Sequence, residues 1–129
     1  MSEQEHPLEA LHRARDEVAA AASRQARTPH PSLQELHAFG SAIVGTLAQL
    51  GHLSTVLANQ VGHFDEHELQ RAKISDDPAD KLRVAGTHLV RLSDQLATAV
   101  TDAHRYWAAM ESVDLHTSGD PRPQHDPNQ

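Results

Sequence analysis

Residues 82–113 read LRVAGTHLVRLSDQLATAVTDAHRYWAAMESV, and this stretch decides the fold. Its apolar residues recur at alternating steps of three and four: Leu82, Ala85, Leu89, Leu92, Leu96, Ala99, Ala103, Tyr106, Met110 and Val113. That period keeps one face of an α-helix apolar for about four heptads, whereas a strand would alternate every second residue. Toward the N-terminus a second line has the same rhythm: Leu36, Gly40, Ile43, Leu47, Leu50, Ser54, Leu57, Val61 and Phe64.

Proline sets the boundaries. All seven prolines fall at Pro7, Pro29, Pro31, Pro78, Pro121, Pro123 and Pro127, outside the periodic runs. Inside a helix each would cost about 3 kcal/mol. Pro7 suits a first helical turn, Ser32 to Glu35 reads as a capping box, and Asp77-Pro78 opens the last helix. The expected fold is all-α, with helices over about 7–27, 33–72 and 78–113 in one domain, 7–115. Residues 1–6 and 116–129 are expected to be disordered.

The short connection at Lys73–Asp77 favours a long antiparallel, coiled-coil-like hairpin. Folding about it sets Leu47 opposite His104, His63 opposite His88, and Leu36 near Val113. Helix 1, with its line Leu8, Leu11, Val18 and Ala22, is long enough to cover half of such a hairpin. The uncovered half invites a second copy, giving either a three-helix bundle or a dimeric four-helix-type assembly. Its expected contacts are the flank of Ala58, Gly86, Val90 and Ser93, with Phe39 and Leu53 beside the seam. On this reading Val90→Glu lowers the oligomer mass.

Composition narrows the chemistry. The chain has 129 residues and no cysteine, so disulfides and thiolate sites are excluded. Its formal charge is −7, a poor basis for binding nucleic acid. Eleven histidines would carry it to +4 if all were protonated, which predicts pH-dependent solubility and association. No run of about 18 apolar residues is evident and the polar start does not suit a secretory signal, so a cytoplasmic protein without a membrane span is expected.

Three other patterns bear on function. His63 and His67 share a helix face, and His88 lies level with them in the expected hairpin, a spacing that could ligate zinc, nickel or copper. Arg83 to His88 has the arginine-x4-histidine spacing of helical HEPN ribonucleases, with Val84 in place of the usual polar residue. A small, acidic, long helical hairpin resembles in shape the Trp-x-Gly hairpin family exported by type VII secretion. Arg71–Asp77 contains neither Trp nor Gly, however, and Tyr106 is followed by Met110 and Glu111. That resemblance implies a hairpin and export. The residues themselves point to a non-enzymatic interaction or adaptor protein without a cofactor, binding another protein and forming a homodimer.

Overall fold

The computed structural model describes residues 5–64 and 78–118, with side chains described through Val113. It is all-α: three helices, and no strand among the described residues. The chain divides into two compact units, Met1–Ser32 and Leu33–Gln129.

The first unit contains α1, Pro7–Ala26. Pro7 stands where its missing N–H is not needed. His6 is the N-cap, its Nδ1 accepting from the Leu8 N–H at 3.0 Å. The last turn closes when the Thr28 N–H and hydroxyl donate to the Gln25 and Arg24 carbonyls, and Pro29 follows directly. No residue of α1 is buried.

The second unit contains α2, Leu33–Gly62, and α3, Pro78–Ser118, which pack on each other. α2 stops at Gly62 instead of continuing to about Ala72. His63 and Phe64 close a tighter turn, donating to the Gln60 and Val61 carbonyls at 3.2 and 3.4 Å. The His63 Nδ1–H takes the Asn59 carbonyl at 2.6 Å. Three carbonyls at the helix end are thereby satisfied at a glycine, a weak helix former. The expected extension, and Asp77, fall outside the described residues. α3 runs past Val113 to Ser118, so His116 is helical.

Burial along α3 follows a strict four–three spacing: Leu82, Gly86, Leu89, Ser93, Leu96, Val100, Ala103, Trp107 and Met110 are all half-buried or buried. On α2 the corresponding series is His37, Gly40, Val44, Leu47, Gly51, Ser54, Ala58 and Val61. Half of each expected seam is therefore correct. In the other half the next residue turns inward as well, Val44, Gly51 and Ala58 beside Ile43, Leu50 and Leu57, and Gly86, Ser93, Val100 and Trp107 beside Ala85, Leu92, Ala99 and Tyr106; of the expected residues Leu50 and Ala99 are half-buried and the other five exposed. The smaller neighbour turns inward in most of these pairs, and small seam residues let the two helices approach closely.

Contacts fix the register. Thr55 Oγ1 lies 3.0 Å from Ser93 Oγ. A Cβ on Gly51 would lie 3.7 Å from Leu96 Cβ, and one on Gly86 would lie 3.7 Å from Val61 Cγ1. At the far end Gly40 meets Trp107 so closely that a Cβ would come within 2.8 Å of the tryptophan Cβ. Rising positions on α2 thus meet falling positions on α3, about one helical turn away from the expected alignment. Leu47 lies nearer the level of Val100 than of His104.

The Trp107 ring is flanked by His37 and His104, with centroids at 6.4 and 5.9 Å. Ser54, 5 % exposed, donates to the Leu50 carbonyl at 2.9 Å. Ala103 is the one buried apolar side chain among the described residues. Two rods alone enclose little.

Gly45 contrasts with Gly40. It is exposed in mid-helix, and a Cβ there would meet nothing within 4 Å. Gly45→Ala is expected to stabilise the fold by about 1 kcal/mol through helix propensity alone. A rise in the thermal midpoint followed by circular dichroism checks it.

Candidate functional site

One heptad phase of inward positions is preceded on each helix by an apolar residue. On α2 this line is Leu36, Ile43, Leu50 and Leu57, and on α3 it is Ala85, Leu92, Ala99, Tyr106 and Val113; Leu36, Leu50 and Ala99 are half-buried and the others exposed. In helices running in opposite senses these two flanking lines lie on the same side of the seam. A direct contact joins them, the Tyr106 hydroxyl donating to the Leu36 carbonyl at 2.6 Å. Exposure along this side is high for large apolar residues: Ile43 43 %, Leu57 39 %, Leu92 42 % and Val113 43 %, whereas Phe64, beyond the end of α2, lines a groove with Gly62 and Arg83. Phe39 and Leu53, both half-buried, form a further row beside the α2 line.

The opposite side differs. There α2 presents Ser41, Ala48, Thr55 and Gly62, and α3 presents Arg83, Val90, Ala97 and His104. A shallow groove of about 470 Å³ is lined there by Ala58, Asn59, Gly86, Thr87, Val90, Arg91 and Asp94.

The six residues expected to form an interface therefore separate. Phe39 and Leu53 adjoin the apolar side. Ala58, Gly86 and Ser93 belong to the α2–α3 seam, with Ala58 and Gly86 also reaching the opposite groove, and Val90 stands exposed over that groove. Among the proposed metal ligands, His67 lies outside the described residues. The Val61–Gly86 and Thr55–Ser93 contacts set His88 near the level of Asn59, about a turn from His63, whose ring is engaged with Asn59. No group of three or more His, Cys, Asp or Glu suited to a metal ion occurs among the described residues.

No family model, curated protein or solved structure matches this chain. Function must be read from the surface itself.

α2 departs from the expectation that no apolar run reaches membrane length. It is long and apolar enough to cross a membrane by length and composition. No Asp, Glu, Lys or Arg occurs from Leu36 to Gly62; Gly, Ala, Ser, Thr, Asn, Gln and His fill the positions between the aliphatics. A helix without charge on any side is ordinarily surrounded on more than one. α3 meets only one of those sides.

Tyr106→Phe is expected to destabilise the pair by about 1 kcal/mol, the usual net value of one hydrogen bond, while leaving the apolar side intact. Urea unfolding should show a lower midpoint with an unchanged slope.

Proposed function

We propose that this chain is a non-enzymatic helical interaction protein, an antiparallel coiled-coil-like hairpin that self-associates and can serve as an adaptor. The observation carrying this reading is the apolar side described above. Large aliphatic and aromatic residues sit at heptad spacing on both helices and face outward together, while the seam between the helices buries little. The largest contiguous apolar patch on a protein surface is often a site of interaction. Helices with an apolar stripe gain stability by burying it against another element, and a second hairpin supplies one in four-helix geometry.

The chemistry proposed is helix-on-helix burial, with a homodimer as its simplest form. Sedimentation velocity over a range of loading concentrations tests it. The expected result is a species of twice the chain mass, dissociating on dilution. A single-chain mass at every concentration removes the reading.

A further inference from the structure

We infer that two copies meet through α2 against α2, end over end, about a two-fold axis passing near Leu47. This rests on the proposed self-association and assigns its surface and geometry.

The occupant follows first from charge. From Leu36 to Gly62 α2 is uncharged, and its row beside the apolar line carries Phe39 and Leu53. The matching row on α3 carries Lys81, His88, Gln95 and Asp102. The apolar surface is thus displaced from the seam onto α2. A partner turned about an axis along the helices would lay the Phe39–Leu53 row over the charged row of α3. A partner turned about an axis crossing the helices lays α2 on α2 and leaves the charged rows at the rim, where interfaces are polar.

The second argument is self-complementarity. An isologous contact requires a patch symmetric about its own axis. The α2 line runs from Leu36 to Leu57 with its midpoint beside Leu47, and the α3 line runs from Ala85 to Val113 with Ala99 at its midpoint. The Gly51–Leu96 and Thr55–Ser93 contacts bring these midpoints to within about one helical turn of the same level. Turned end over end, Leu36 meets Leu57 of the partner subunit and Ile43 meets Leu50 of the partner subunit.

The area also fits. Ile43, Leu57, Leu92, Tyr106 and Val113 are each 38–43 % exposed. Together they offer on the order of 400 Å², and half-buried Leu36, Phe39, Leu50 and Leu53 extend this toward the roughly 800 Å² that each partner of a stable complex covers.

The absence of cysteine makes the test clean, because an introduced thiol can pair only with another introduced thiol. Ile43→Cys mixed with Leu50→Cys and, on the opposite side, Val90→Cys are oxidised mildly at a concentration where the wild-type chain is dimeric. The mixed covalent dimer should exceed either self-pair and should exceed the Val90→Cys dimer more than about tenfold, since a disulfide closes only between Cβ atoms about 4 Å apart. Should Leu50→Cys lose its helix signal, Leu36→Cys mixed with Leu57→Cys serves instead, with the mixed covalent dimer again expected to exceed either self-pair. A dimer that crosslinks at Val90 and at neither alternative overturns this geometry while leaving self-association intact. A monomer overturns both, as does a monomer that floats with phosphatidylcholine–phosphatidylglycerol vesicles.

Discussion

Ile43→Glu combined with Leu57→Glu should leave the helical signal of the chain in place and convert it to a monomer. Both side chains are already about two-fifths exposed in the single chain, so charge there can remain solvated without opening the α2–α3 seam. In the proposed assembly each carboxylate would be buried against apolar residues of the other copy. An unpaired charge left in such a place costs about 3–5 kcal/mol. Even partial burial of the four carboxylates in the dimer should therefore exceed about 4 kcal/mol, a weakening of roughly a thousandfold. Sedimentation velocity reads this as one chain mass at concentrations where the wild type is dimeric. Val90→Glu supplies the contrast. Sequence alone selects it as disruptive, but Val90 lies over the opposite groove, and its mass should match wild type. A fall for Val90→Glu with none for the double variant would transfer the interface to that groove.

Gly40→Ala should be the most damaging single-methyl change in the chain. Alanine favours a helix over glycine by about 1 kcal/mol, so the substitution begins with a gain. The new Cβ would stand 2.8 Å from Trp107 Cβ and 2.9 Å from its Cγ and Cδ1. Those atoms lie at the root of a rigid side chain and cannot swing aside, so the helices must part locally. Overpacking of this kind costs about 1–3 kcal/mol, and more where backbone has to move. The net expectation is a loss of about 2 kcal/mol, set against the gain at Gly45. Thermal unfolding by circular dichroism should place Gly45→Ala above wild type and Gly40→Ala below it. The reverse order would mean that Trp107 is not seated on Gly40.

The helices were legible because proline and periodicity act locally. Pro7 and Pro78 open helices where sequence places them, and Leu82, Leu89, Leu96, Ala103 and Met110 face inward as their spacing requires. The seam's other half was not legible from hydrophobicity, because each inward position has an equally periodic neighbour that is usually larger. Leu92 beside Ser93 and Leu57 beside Ala58 are such pairs. Close approach of the helices resolves the choice in favour of the smaller residue, and that is a property of two helices together. The signal was nonetheless present: Gly51, Ala58, Gly86 and Ser93 share one heptad phase on their respective helices. Size alone would turn Ile43, Leu57 and Leu92 inward and Ala58, Gly86 and Ser93 outward, the reverse of their places in the structure.

Trp107 is the sole tryptophan of the chain, and it sits on Gly40 between two imidazole rings. Its emission is consequently a built-in reporter for the end of the α2–α3 pair where Leu36 and Tyr106 are joined. A red shift would register separation of α2 from α3 there, without any introduced label.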